Sequence, residues 1–497
     1  MQNIGCLVKF ASNHTAMSKI IGRKKEIEEL LKYYGSDKPE FVAIYGRRRV
    51  GKTFLVKEVF KNRFAFHHTG LAPFKDKNRR RTTKAEQLRA FYYSLLQAGM
   101  EGEPCPTDWM QAFLQLETFL DKIDCGQRLV VFIDELPWMD TPRAGFMPAL
   151  DQFWNGWCNY HDNVMLIVCG SATSWMLDNI IMDTGGMFRR TTDPIHLDPF
   201  TLAECESFYK ENNIVLSRQE IAEGYMIMGG IPYYMSLFMP GLSLAQNIDR
   251  LFFQRKAKLS GEFDMLFSSI FTNPDQMKKI IVFLSGKHSG FTRDEIADYI
   301  GKESGGWLTD LLKALENSSY IARYTPLFEE KQDERYKLSD QFCWFWLHYL
   351  NDSRCQDENF WQANQHMPSL NSWRGLAFEE VCFNHVPQIK KALGISGVHT
   401  NTGTYRIIGN GEKAGMQMDM IIDRDDNVLN LCEIKFVKGE FEVNESYYET
   451  INSRIGALSA LTSKNIHSTL ITTYGAKYNA YRNAFQNVIT LDELFCQ

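Results

Sequence analysis

At 497 residues the chain is long enough for about three domains. Apolar residues make up 44% and charged ones 23%, which excludes a disordered chain, and a formal charge of -5 gives no global signal of a nucleic-acid binder. Eleven cysteines, scattered singly with no C-x-x-C pair, argue against disulfides or zinc and for buried thiols in a reducing compartment.

The N-terminal stretch "MQNIGCLVKFASNHTA" lacks the charge and apolar pattern of a signal peptide. Patterned sequence starts at "SKIIGRKKEIEELL", so Met17 is an alternative start and residues 1–17 read as a tail. The apolar run "EFVAIYG" then predicts a buried strand, and "KTFLVKEVFKN" places apolar residues at helical spacing. Between them lies "YGRRRVGKT", which fits G-x-x-x-x-G-K-[ST] at Gly46, Gly51, Lys52 and Thr53. Three consecutive arginines could instead mark a turn beside a basic surface. Strand, glycine loop and helix in this order favour a phosphate cradle, in which backbone N–H groups of Gly46, Arg47, Arg48, Arg49, Val50 and Gly51 converge on an anion at a helix N-terminus. The arginine side chains need only point outward. Lys52 would reach the β- and γ-phosphates of ATP, and the Thr53 hydroxyl would ligate Mg²⁺.

The following "KNRFAFHHTGLAPFKDKNRRRTTKAEQLRAF" reads as a connecting segment whose basic cluster, Lys75 to Lys84, is a solvated loop or a phosphate contact. In "RLVVFIDELPWMD" an apolar strand delivers Asp134 and Glu135 at its C-terminal end. Asp134 suits the Mg²⁺ shell, and Glu135 suits the orientation or deprotonation of an attacking water. The next strand, "VMLIVCGSATSWM", ends in Ser171 and Thr173, placed to sense the γ-phosphate or the water. Arg189 and Arg190 precede another short strand; they read either as surface ion pairs or as a finger reaching a neighbouring subunit's γ-phosphate.

Together these segments resemble the AAA+-type ATPases, in the archaeal-type branch found in prokaryotic genomes. The resemblance runs from "IIGRKKEIEEL" through the loop, the D-E strand, "CGSATSWM", "PFT" and "GGIPYY". It implies that Ile21 and Gly22 line the adenine, and that Pro232 lies in a helical lid near the nucleotide. One departure is the lack of an obvious lid arginine, with "GGIP" in its place, a pattern closer to switch-like members than to processive motors. The uncharged "GYMIMGGIPYYMSLFMPGLSLAQN" is long enough for a membrane span, but its Gly-Gly pair, prolines and polar residues predict a broken, buried helix.

In the middle, "SGFTRDEIADYIG" opens a helix with a capping box from Thr292 to Glu295; a second helix and two strands follow. That order predicts a winged helix-turn-helix. Its second helix offers only Lys302 and Lys313, offset by Asp310 and Glu316, so DNA contact and a protein or interdomain role both stand. "FCWFWLHYL" reads as core packing.

From Trp373 an amphipathic helix carries Glu379, and "GMQMDMIIDRDDNVLNLCEIKF" reads as a hairpin. Glu433 and Lys435 lie two apart on a strand and share a face, and the hairpin can bring Asp419 alongside. A helix and another strand follow. This order resembles the PD-(D/E)XK nuclease superfamily. The resemblance implies Mg²⁺ held by Asp419 and Glu433 with help from Glu379, and Lys435 stabilising charge on a scissile phosphate. The alternative is a degenerate nuclease fold with a surface carboxylate–lysine pair.

The sequence therefore predicts an α/β protein. Its expected parts are a P-loop core with a parallel sheet (18–200), a helical lid (201–272), a winged helix-turn-helix (273–345), a linker (346–372) and an α/β restriction-endonuclease-like domain (373–497). The expected function is Mg²⁺-dependent ATP hydrolysis coupled to a DNA-directed, possibly nuclease, C-terminus. Alternatives are a nucleotide-driven switch or scaffold with an inactive nuclease-like domain, and a DNA-remodelling motor. The expected setting is a cytoplasmic homo-oligomer with no membrane partner.

Overall fold

The computed structural model describes residues 20–74, 80–182, 190–270, 274–301, 305–328, 334–351, 357–407 and 415–496. Arg189, Lys302 and residues 75–79 of the basic cluster lie outside them. The chain divides into two compact units. The first runs to Pro199 and includes Asp264–Pro274; the second comprises Phe200–Phe263 and the chain from Asp275.

The first unit is built on a five-stranded parallel sheet in the order β2-β3-β4-β1-β5. The strands are β1 (Glu40–Tyr45), β2 (Phe64–Thr69), β3 (Leu129–Asp134), β4 (Val164–Gly170) and β5 (Ile195–His196). β3 and β4 are buried along their whole length, as expected of strands covered on both faces. β2 corrects the expectation of a plain connecting segment: "FAFHHT" pairs with β3 from Phe64↔Val130 to Thr69↔Asp134. Its mixed burial hid it from an apolar-run criterion. On one side of the sheet, Trp109, Phe113, Phe146 and Phe153 pack ring against ring, each contributing about 1.5–3 kcal/mol by burial.

The second unit holds three parts. Helices Leu202–Glu211, Arg218–Met228 and Pro232–Met235 begin it, the first two opened by Thr201–Glu204 and Ser217–Glu220 capping boxes. The uncharged run is thus broken into short helices, and no helix among the described residues is long and apolar enough to cross a membrane. A second part places helices Pro274–Leu284, Arg293–Ile300 and Gly306–Asn317 beside an antiparallel sheet ordered β6-β8-β7. Its strands are β6 (Phe291–Thr292), β7 (Ile321–Tyr324) and β8 (Arg335–Leu338). The aromatic helix Gln341–Tyr349 buries Phe342, Cys343, Phe345 and Leu347.

The third part is a mixed sheet ordered β13-β12-β11-β10-β9. β9 (Thr400–Ile407), β10 (Met416–Arg424) and β11 (Val428–Lys435) are antiparallel. β12 (Asn465–Thr472) and β13 (Asn487–Thr490) continue in parallel, with helix Glu445–Ser459 between β11 and β12. The stretch expected to be a linker, 346–372, holds folded structure among its described residues. They contain helix Phe360–Ala363 and the start of helix Pro368–Asn384, and Trp361 is fully buried. The buried Asp249 carboxylate accepts from the backbone N–H groups of Trp361 (2.7 Å) and Gln362 (3.1 Å).

Candidate functional site

The loop after β1 lies at the carboxyl end of the parallel sheet, where open α/β folds bind ligands. Gly46 has φ +134, and a Cβ there would stand 2.5 Å from the Leu197 carbonyl oxygen, so the loop can close only on glycine. Gly51 (φ +98) and Arg49 (φ +71) also take left-handed backbone. Helix Lys52–Val59 starts immediately afterwards. Lys52 is buried and its Nζ donates to the carbonyls of Gly46 (2.7 Å) and Arg47 (2.9 Å). Burial pulls its ammonium pKa down, opposed by the charges of Glu135 and Asp134. Arg47 is buried, whereas Arg48 reaches toward the Met265 carbonyl at 3.5 Å; the arginine run therefore does not simply face outward.

β3 and β1 flank β4, so the carboxylates of β3, the end of β4 and the loop converge. The Thr53 hydroxyl donates to Asp134 Oδ2 at 2.8 Å. Burial, and then the Glu135 charge, push the Asp134 carboxyl up to about 6. Glu135 has φ +49, an uncommon conformation for a residue with a side chain and one that marks functional sites. Ser171 holds its carboxylate at both oxygens: Ser171 Oγ donates to Oε1 at 2.6 Å and Ser171 N–H to Oε2 at 3.1 Å. Thr173 is buried nearby in sequence, and its hydroxyl has no hydrogen-bond partner among the described residues.

Arg23 is a member of this site that sequence reasoning missed. It follows the half-buried Ile21 and Gly22, takes φ +58, and donates to the carbonyls of Asp198 (2.6 Å) and Val50 (3.4 Å). The N-terminal box is thereby fastened to the end of the phosphate loop. A charged residue inside "IGRKKE" gave no signal of being buried. Arg190 is exposed shortly before β5. Pro232 opens helix Pro232–Met235 in the second unit, where the Phe200 N–H donates to the Gly230 carbonyl at 2.8 Å.

Residues 20–238 match a family described as an ATPase domain predominantly from Archaea. The match shows an ATPase domain of this description in that part of the chain. It is 25% identical over 375 residues to the uncharacterized protein MJECL04 of Methanocaldococcus jannaschii, covering 75% of this chain and 78% of that one. It is 42% identical over 43 residues to the uncharacterized ATP-binding protein MJ0423 of the same organism, covering 9% of this chain and 73% of that one. Among solved structures, the Walker-type ATPase PABY2304 of Pyrococcus abyssi superposes with a TM-score of 0.48 at 18% identity, covering 67% of this chain and 97% of that one.

Beyond the ATPase domain, β10 and β11 bring three of the predicted residues together. Asp419 lies one step beyond the Met420–Cys432 pair, across from Glu433. Its Oδ2 accepts from the Ile434 N–H and from Lys435 Nζ, each at 3.0 Å. Lys435 Nζ also stands 3.7 Å from Glu433 Oε2. Glu433 is fully buried, and both its oxygens are engaged: Tyr447 OH donates to Oε2 at 3.0 Å and Arg454 pairs with Oε1. Burial and Asp419 push the Glu433 carboxyl up, while Lys435 and Arg454 oppose that shift.

Glu379 lies on helix Pro368–Asn384. It pairs with His288 at 3.3 Å, and its neighbour Glu380 with Lys337 at 2.5 Å, both contacts fastening helix Pro368–Asn384 to the middle part of the unit. Among the described residues, no group of three or more His, Cys, Asp or Glu is placed to hold a metal ion. The donors around Asp419 and Glu433 do not fit a divalent cation as they stand.

Proposed function

We propose that the chain is a Mg²⁺-dependent ATP hydrolase that works as a nucleotide-driven switch. The observation that carries this reading is the convergence of Lys52, the Thr53–Asp134 pair and the Glu135–Ser171 pair at the end of one parallel sheet. Backbone N–H groups of the loop and Lys52 bind the phosphates. Thr53 and Asp134 are oxygen donors of the kind Mg²⁺ takes, and they would hold the ion that neutralises the phosphate charge. Glu135 orients the water. Ser171 holds the Glu135 carboxylate at a fixed angle, and moving it off Ser171 sets the base to work. In this reading Ile21 and Gly22 line the adenine, Pro232 belongs to the helical lid, and Arg190 acts in trans within a cytoplasmic homo-oligomer.

The second unit supplies the output. Its middle part is a winged helix used for protein or interdomain contact. The exposed face of helix Gly306–Asn317 offers Thr309, Asp310 and Lys313, with no excess of positive charge. Its third part is a nuclease-like fold. A second reading makes that part a DNA-directed nuclease; it is favoured by Asp419, Glu433 and Lys435 sharing one face.

Two variants test the first reading. Lys52→Ala should weaken ATP binding by about tenfold or more, because a charge-assisted contact disappears. Glu135→Gln should keep binding and lose about 10²-fold or more in turnover. Equal loss of binding in both would make Glu135 structural and sink the mechanism. Mixing Arg190→Ala with Lys52→Ala protein should restore turnover; no recovery at any ratio removes the shared-interface role.

A further inference from the structure

The sequence pattern at the end of β10 and β11 implies a metal, yet the residues themselves are already satisfied. Asp419 and Glu433 carry two negative charges, and Lys435 and Arg454 carry two positive ones, all within one hydrogen-bonded cluster. The cluster is electroneutral without any ion from solution. Bringing a carboxylate as deeply buried as Glu433 into this position requires a partner cation and donors for both oxygens. Arg454 supplies the cation and Tyr447 the second donor. Both come from helix Glu445–Ser459, seven residues and so about two turns apart, and so on one helical face. Lys435 completes the closure from the strand itself, lying over the Tyr447 ring at 5.9 Å.

We infer that Arg454 occupies the cation position of the Asp419–Glu433 pair, so that this end of the sheet holds no divalent metal in the native chain and is a latent metal site instead. The inference rests on the nuclease-like reading of this third part, and it decides between that reading's two forms: a catalytic centre, or a sealed remnant. Here the guanidinium does a structural task that a Mg²⁺ ion would otherwise perform. It neutralises the carboxylate pair and fastens the helix after β11 to the hairpin. A guanidinium cannot release its proton or its charge, so the seal is permanent at any pH at which the protein is folded.

Removing Arg454 leaves two carboxylates against one lysine, with net negative charge in a buried place, and a hard dication is the natural counter-charge. The test is Mn²⁺ binding to the full-length, nucleotide-free chain, read by electron paramagnetic resonance. Lys52→Ala serves as background so that the ATPase site cannot contribute through residual nucleotide. Wild-type residues at the cluster should take up no Mn²⁺ that depends on Asp419. Arg454→Met should gain one equivalent, bound about tenfold or more tighter than any wild-type uptake, and Asp419→Asn added to it should abolish the gain. Arg454→Gln keeps a donor for Glu433 without the charge and should gain the same site, should the Met variant not fold. Asp419-dependent Mn²⁺ binding in the unaltered cluster would overturn the inference. So would a folded Arg454→Met or Arg454→Gln protein that gains no site. ATP turnover, measured on the parent chain, stands or falls separately.

Discussion

His385 Nε2 accepts a hydrogen bond from the backbone N–H of Leu202 at 3.0 Å, while its other ring nitrogen lies 2.8 Å from the Val381 carbonyl. That pair of contacts fixes one neutral tautomer, with Nδ1–H donating to Val381. It also satisfies an orphan N–H in the first turn of helix Leu202–Glu211. The ring is fully buried. A residue at the end of helix Pro368–Asn384 thereby caps the first helix of the region expected to be the lid, some 180 positions earlier.

Burial pulls the His385 pKa from 6.5 down to about 4. The unfolded chain therefore binds a proton between these values that the folded chain does not. Stability is full above about pH 6.5 and falls as pH drops toward 4, with about 2 kcal/mol lost by pH 5. His68 in the first unit is shifted to the same value, so the comparison must be between proteins. Chemical denaturation at pH 7 and pH 5 should show His385→Gln losing about 2 kcal/mol less than wild type over that interval. Identical slopes would mean that the ring is not neutral in the fold.

The phosphate loop offers a separate test of backbone against space. Both Gly46 and Gly51 sit at positive φ, but only Gly46 faces backbone: a Cβ there meets the Leu197 oxygen at 2.5 Å, whereas nothing lies within 4 Å of one at Gly51. Gly51→Ala pays conformational strain alone, on the order of 1–3 kcal/mol. Gly46→Ala adds a clash with a carbonyl that β1–β5 pairing holds in place. Thermal melts should rank Gly46→Ala clearly below Gly51→Ala, and Gly46→Ala should lose ATP binding. Equal melting temperatures would show that the loop can shift away from Leu197.

Most of the ATPase site was legible because its signals are local. "YGRRRVGKT" between a strand and a helix, and two carboxylates ending an apolar strand, need no partner elsewhere to be read. The Asp419, Glu433 and Lys435 cluster was legible for the same reason, through strand alternation and a short turn. What escaped depends on long-range pairing. Arg23, Arg454, His385 and Arg374 look like ordinary surface residues of amphipathic helices or loops, and only the tertiary fold gives each its partner. The helix expected to carry Glu379 is present, and its carboxylate pairs with His288, a partner that the motif does not predict.

The last of these hidden partners carries the largest stability prediction. Arg374 is 3% exposed and Glu223 10%, with Nη2 and Oε1 2.6 Å apart. The same Glu223 oxygen accepts from Trp361 Nε1 at 3.2 Å, and Arg374 also donates to the Gln365 carbonyl at 2.9 Å and to Gln365 Oε1 at 2.8 Å. The guanidinium lies over the Trp361 ring, 5.7 Å from its centre. Each ion of the pair thus meets its counter-charge, but Arg374 Nε has no hydrogen-bond partner among the described residues and two ions have been taken from water, so the pair need not add net stability over an apolar replacement. Removing one partner is different, because it strands a buried charge. Arg374→Met should cost about 3–5 kcal/mol in urea denaturation followed by tryptophan fluorescence. Glu223→Leu should cost a similar amount. The double variant should recover much of that loss, because the two apolar side chains can pack against each other and against Trp361. A double variant that is less stable than either single one would show that the pair is worth more than the apolar contact, and that the hydrogen bonds to Trp361 and Gln365 hold the second unit together.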